Sequence, residues 1–135
     1  MGFAHERMDV YQVALDFLVI AEGVIGAVPR GRGHIVDQLT RASTSIVLNI
    51  AEGAGKFSRP DKRRYYLSAI GSATECAAIL DVCERMKMIE AETLRRGKET
   101  LDRIAAMLVK LAKAMETEPR ATGAGSGAGA GGGGD

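Results

Sequence analysis

Apolar positions along this chain recur at helical spacing, and no segment alternates convincingly at the spacing of a strand. Val10, Ala14, Phe17, Ala21, Val24 and Val28 step by 4, 3, 4, 3 and 4. That holds them on one stripe of a helix running from about Glu6 to Val28. Gly23 and Gly26 interrupt the helix at about 1 kcal/mol each against Ala, and are read as points of close helix packing. Pro29-Arg30-Gly31-Arg32-Gly33 ends the pattern. A second helix is expected from about His34 to Gly53. Its seam is Ile35, Leu39, Ala42, Ile46, Asn49 or Ile50, and Gly53. Gly53 and Gly55 supply the residues a helix end prefers. Ser58-Arg59-Pro60-Asp61 reads as the start of a third helix. Ser58 accepts from a first-turn N–H, Asp61 reaches back, and Pro60 loses no helical hydrogen bond so early. This helix continues through Tyr66, Ile70, Ala73, Ala77, Leu80 and Glu84 to about Lys87. The fourth starts near Ala91 and carries the cleanest heptad: Leu94, Leu101, Ile104, Leu108, Leu111 and Met115.

Each helix would be about 30–45 Å long at 1.5 Å per residue. Short breaks between long amphipathic helices make sequential neighbours antiparallel. The expected fold is therefore all-α, an up-down-up-down four-helix bundle over residues 1–118. Residues 119–135 begin Pro119-Arg120-Ala121-Thr122 and continue in Gly, Ala and Ser to Asp135, with no apolar side chain larger than Ala after Pro119. Such a tail cannot bury enough surface to offset chain entropy, so it is expected to be disordered. A Gly-rich phosphate loop is excluded, because no strand precedes it and no Lys-Ser/Thr pair opens a following helix.

Composition narrows the function more than the fold. Eighteen Lys and Arg face 17 Asp and Glu, for a net charge of +1. No global basic excess advertises nucleic acid, so any such binding must come from local patches. Aromatic residues are 4% of the chain, too few for a base-stacking platform. The N-terminus has no cationic region followed by an apolar run, and the longest apolar run, Phe17–Ala21, is far short of the roughly 20 residues of a membrane span. The expectation is a soluble, cytoplasmic protein with no membrane partner and no small-molecule substrate.

A bundle raises the question of a di-iron site, which needs Glu-x-x-His motifs on two helices. No Glu here has His three residues later, and His5 and His34 are the only histidines. His5-Glu6 is followed by Asp9 where a zinc protease helix needs its second His. Cys76 and Cys83 lie two turns apart on one helix, about 10.5 Å along its axis, too far for a disulfide with each other. They read as small buried hydrophobes. No catalytic residue, no metal and no cofactor is expected, and the chain is read as a non-enzyme.

The charge layout is more informative. Lys56, Arg59, Lys62, Arg63 and Arg64 fall within nine residues, against Asp61 alone. Arg30 and Arg32 form a smaller group in the first loop, with Arg41 farther into the second helix. In an up-down bundle these two groups mark opposite ends. They can be a solvated loop and helix start. They can also be phosphate contacts or a surface for an acidic partner, since Lys and Arg in a first helical turn oppose the macrodipole and so suggest another use. A second polar set, Gln38, Arg41, Ser45, Asn49, Glu52 and Glu75, lies on otherwise apolar faces. If the second and third helices fold back near residue 57, residues whose numbers sum to about 115 face each other. Arg41 then pairs with Glu75, Glu52 pairs with Arg63, and Asn49 sits near Tyr65 or Tyr66. These polar groups are read as register control, and Gly71-Ser72-Ala73 as a close backbone approach.

The segments Asp37-Gln38-Leu39-Thr40-Arg41-Ala42-Ser43-Thr44-Ser45-Ile46-Val47-Leu48-Asn49-Ile50-Ala51-Glu52-Gly53 and Gly71-Ser72-Ala73-Thr74-Glu75 resemble a bacterial four-helix-bundle family. That family includes proteins encoded in intervening sequences of large-subunit ribosomal RNA genes and the accessory variability protein of diversity-generating retroelements. The resemblance covers about residues 6–115. It implies an up-down bundle assembling into a ring-like homopentamer. For the retroelement members it also implies RNA or DNA binding and contact with a reverse transcriptase.

Independent support for assembly comes from the width of the apolar stripes. Leu15, Leu18, Val19, Ile20 and Ile25 flank the first stripe, and Leu67, Ala78, Ile79 and Val82 flank the third. One bundle seam needs less, and a large exposed apolar patch marks an interface. The expected function is a non-enzymatic, homo-oligomeric scaffold. It would bind nucleic acid or a reverse transcriptase, as an accessory protein, through Lys56, Arg59, Lys62, Arg63, Arg64, Arg30, Arg32 and Arg41. The alternative is a protein-protein interaction scaffold with no nucleic-acid role.

Overall fold

A computed structural model describes residues 2–116. A short 3-10 helix, Ala4–Arg7, leads into four α-helices: α1, Asp9–Ala27; α2, Gly33–Ala54; α3, Arg59–Arg85; and α4, Ala91–Glu116. No strand occurs among the described residues. α1 packs on α2 and α4, and α3 packs on the same two more extensively, so α1 and α3 stand on the diagonal of an antiparallel bundle. The expected disordered tail over residues 119–135 lies outside the described residues.

The core follows the stripes. Val10, Ala14, Phe17, Ala21 and Val24 are buried on α1, and Ile35, Leu39, Ala42, Ile46 and Ile50 on α2. Leu101, Ile104 and Leu108 are buried on α4. Burying a side chain such as Phe17, Leu39 or Ile104 contributes about 1.5–3 kcal/mol. The seam of α3 differs from the expected one. Its buried positions are Tyr66, Ala69, Ala73, Cys76, Ile79, Leu80 and Cys83, so Ile79 belongs to the core and not to the flanking surplus, while Ile70 and Ala77 are half-buried at its edge. Both sets fit a 3.6-residue period. Packing selects the one with small side chains, which lets α3 lie close to α2 and α4. Burial pushes the Cys76 thiol up to about 12, with the adjacent Glu75 carboxylate adding to the rise, so it stays protonated and inert.

Close approach occurs at glycines other than those expected. Gly23, Gly26 and Gly71 have no neighbour within 4 Å of an added Cβ, whereas at Gly97 such an atom would lie 2.5 Å from Leu80 Cδ1. At Gly53 it would lie 2.9 Å from the Tyr66 ring. The helix start at Ser58 forms as expected, its Oγ accepting from the Asp61 N–H at 3.1 Å. The Asp61 carboxylate, however, pairs with Arg64 at 3.3 Å. α3 ends in paired turns: Lys87 N–H donates to Glu84 O and Met88 N–H to Cys83 O. That is the Schellman arrangement. Lys87 occupies its left-handed position, at φ 62°, where glycine is usual.

The polar contacts between α2 and α3 sit at the edge of their interface. Arg41 meets Glu75 at 3.9 Å, both largely exposed, and Ser72 Oγ donates to Ser45 Oγ at 2.8 Å. Asn49 turns back along its own helix and donates to Ser45 O and Ser45 Oγ, each at 2.9 Å. The tyrosines instead meet Gly53. Gln38 is exposed. The expected Glu52–Arg63 pair does not form. Glu52 takes Lys56 one turn on, and Arg63 lies on the α4-facing stripe of α3.

α1 and α3 are long and apolar enough, by length and composition alone, to cross a bilayer, a test that core helices also pass. Part of their apolar surplus points outward: Val19 is 74% exposed, Val82 45% and Leu67 41%. Leu15, Leu18, Ile20 and Ile25 are half-buried against the core.

Candidate nucleic-acid interface

The basic cluster sits where α2 ends and α3 begins, and each of its five cations meets a partner within the chain. Lys62 Nζ donates to Ala54 O at 2.9 Å and to Gly53 O at 3.5 Å, capping α2. Arg59 donates to Ala114 O at 2.7 Å near the end of α4. Its Nε is buried without a partner. Arg63 contacts the Glu116 carboxylate through both Nε, at 3.2 Å, and a terminal nitrogen, at 2.8 Å. Arg64 pairs with Asp61 and Lys56 with Glu52 at 3.4 Å. Lys56 Nζ and the Arg64 guanidinium also lie 5.2 and 5.1 Å from the centre of the Tyr65 ring, within cation–π range.

This geometry answers the electrostatic objection to cations in a first turn. α3 starts beside the C-termini of α2 and α4, where partial negative charge collects. Lys62 and Arg59 reach those carbonyls and complement two neighbouring dipoles while opposing their own.

The packing also adds cations that the linear cluster does not contain. Arg59 and Arg63 touch the last turn of α4, which places exposed Lys113 beside them. Lys110 lies one turn earlier, facing the start of α1. The signal was present in the antiparallel register, since Arg63–Glu116 and Asp81–Lys98 both sum to 179, but α3 and α4 were not paired in that way.

Arg30 and Arg32 lie at the other end, and neither forms an ion pair among the described residues. Arg32 contacts Met86 Sδ at 4.0 Å. That joins the α1–α2 loop to the α3–α4 loop and brings exposed Arg85 and Lys87 to the same edge. Arg41 stands apart on the side of the bundle. The eight expected residues thus divide into three places. Among the described residues, no group of three His, Cys, Asp or Glu side chains comes together to hold a metal.

The sequence comparisons place the bundle in a lineage. A model of the 23S rRNA-intervening sequence protein family matches residues 6–110. The chain belongs to that family. A solved structure of a protein of unknown function from the S23 ribosomal protein family of Bacteroides thetaiotaomicron superposes with a TM-score of 0.71 at 24% identity. The match covers 77% of this chain and 98% of that one, and it shows the shared fold. No curated protein matches.

Proposed function

We propose that this member of the 23S rRNA-intervening sequence protein family is a non-enzymatic, homo-oligomeric helical scaffold. It contacts RNA or DNA, and serves a nucleic-acid enzyme such as a reverse transcriptase, through the end of the bundle formed by α2, α3 and α4. One observation supports the reading: Arg59 and Arg63 reach the last turn of α4, which adds exposed Lys113 to the five-cation cluster. Its exposed ion pairs each contribute about 0–1 kcal/mol, so a phosphate can replace the carboxylate in them. Arg59 and Lys62 hold the helix ends in place, and Arg64, Lys110 and Lys113 supply exposed charge. Lys56 and Arg63 do some of both.

The test reverses the exposed charges and spares the two helix caps. The triple variant Arg64→Glu, Lys110→Glu, Lys113→Glu keeps its helical circular dichroism and loses affinity for structured RNA and duplex DNA. Wild-type affinity falls steeply with salt as counterions are released. Equal affinity in the triple variant removes the reading. A specific observation supports the alternative, a protein scaffold without nucleic acid: all five cations of the original cluster already have partners in the chain. That alternative predicts no mobility shift with either nucleic acid at low salt.

A further inference from the structure

The basic end of the bundle also holds most of the aromatic rings. Phe3, Tyr11, Phe57, Tyr65 and Tyr66, all the Phe and Tyr residues except Phe17, lie within about two helical turns of it. Four of these rings are engaged within the chain. Tyr66 is buried, Phe3 stacks on His5 with ring centres 5.9 Å apart, and His5 meets Tyr11 edge-on. The Tyr65 ring has Lys56 and Arg64 against it. Phe57, in the loop between α2 and α3, is fully exposed, the most exposed of the large apolar side chains. Its loop is nevertheless held on both sides. Lys56 N–H donates to Gly53 O at 3.2 Å, and Ser58 Oγ accepts from the Asp61 N–H at 3.1 Å. The ring therefore projects from a fixed backbone with both faces open.

The surroundings of Phe57 select its ligand. Gly55, Lys56, Ser58 and Arg59 add no apolar side chain beside it, so the ring does not extend into the kind of apolar patch that a protein interface uses. Charge surrounds it instead. Lys56, Arg59, Lys62, Arg63 and Arg64 outnumber their carboxylate partners, Glu52, Asp61 and Glu116. Lys56 Nζ and the Arg64 guanidinium are gathered at one tyrosine ring, 5.2 and 5.1 Å from its centre, which keeps two cations together next to the loop. An unpaired nucleotide offers the matching features, a flat π face with a phosphate on either side. An aromatic face beside backbone-tracking cations is how single strands are held without sequence preference. In a duplex the base faces are already stacked on each other, and the backbone phosphates are what such cations meet. Six aromatic residues cannot build an extended platform, but one open ring receives one base. The other exposed ring, Phe3, already has His5 on it and is followed by Glu6 and Asp9, which repel phosphate.

We infer that the nucleic acid held at this end is single-stranded, with one unpaired base stacked on Phe57 and its adjoining phosphates on Lys56 and Arg64. The inference rests on the nucleic-acid part of the proposed function and names the form of that ligand. Tyr65 is a positioning residue, since its ring holds the two cations.

The full chain is tested by fluorescence anisotropy against three labelled probes: an unstructured RNA strand of mixed sequence, a DNA strand of the same sequence, and the annealed DNA duplex. Phe57→Ala weakens binding to both single strands by about 5–150-fold. It leaves duplex affinity and the salt dependence unchanged, because no charge is removed. Phe57→Leu, apolar but without a π face, loses nearly as much. The chain has no tryptophan, so Phe57→Trp adds a single reporter, which keeps single-strand affinity and is quenched by the strands but not by the duplex. Circular dichroism is unchanged in all three variants, because the ring is fully exposed. If wild type binds the strands and Phe57→Ala binds them equally, the inference is overturned while the basic cluster keeps its proposed role. An equal loss on the duplex makes the ring a wedge between base pairs and overturns it. A lower mass of Phe57→Ala by light scattering makes the ring a protein contact and overturns it too. A wild-type chain that binds no probe at low salt overturns both the inference and the nucleic-acid reading beneath it.

Discussion

The two ends of this bundle carry similar basic residues and use them differently. Where α2 hands over to α3, Lys62 and Arg59 are bonded to backbone carbonyls of α2 and α4, and Arg63 grips Glu116. At the end formed by the α1–α2 and α3–α4 loops, Arg32 contacts a methionine sulfur, and Arg95 pairs only with Glu92 and Glu99 of its own helix. Carboxylates are not scarce there, since Glu84 and Glu90 lie in the same stretch of chain. The difference is in the packing. At the first end a helix start is wedged between two helix ends whose carbonyls need donors. At the second end Ile25 O and Cys83 O are already satisfied by backbone N–H groups, and Arg30 and Arg85 are left to solvent. A count of charges therefore says little about their availability.

This contrast can be broken by substitution. Replacing Arg59 and Lys62 together with Ala should cost about 2–3 kcal/mol, since it strips donors from two helix C-termini. For a domain near this size each kcal/mol lowers the thermal midpoint by about 4–8 °C. A midpoint within a degree of wild type would show that these bonds are incidental. At the other end the local weakness is backbone strain. Lys87→Gly relieves a left-handed residue and should raise stability by about 0.5–1 kcal/mol, read as a shift in the urea midpoint. A loss would mean that the Lys87 side chain has a role in the loop. A double-mutant cycle on Arg63 and Glu116 should give a coupling of up to about 1 kcal/mol that shrinks in high salt. Replacing Arg30, Arg32 and Arg85 with Ser should move stability by no more than about 0.5 kcal/mol, while weakening retention on a cation exchanger. A larger destabilisation would put these arginines in the same structural class as Arg59.

Much of the fold was legible because it is periodic. The stripes on α1, α2 and α4 are spaced so regularly that burial follows them. The Ser58 cap was legible for a similar reason, since its donor lies three residues away. α3 was harder. Its small and medium residues satisfy two neighbouring stripes, and hydrophobicity alone does not separate Ala69 and Cys76 from Ile70 and Ala77. The register between α2 and α3 was close at Arg41–Glu75 and had drifted by the loop, where Tyr65 and Tyr66 face Gly53 in place of Asn49. A fold-back rule treats helices as straight parallel rods, and packed helices cross at about 20°. The glycines show the same limit. Gly23 and Gly53 look alike in a helical stretch, and only the neighbouring helix determines which of them a Cβ would obstruct.

The sequence by itself determined that there would be four helices, where each begins and ends to within a turn, and which stripes of three of them lie inside. These depend on spacings of three and four residues and on caps, which are local. Only the tertiary structure decided which cations are held and which are free, and which glycines allow close contact. Each of these depends on residues that packing brings together, such as Arg59 and Ala114, 55 positions apart, and no periodicity in the chain records that distance.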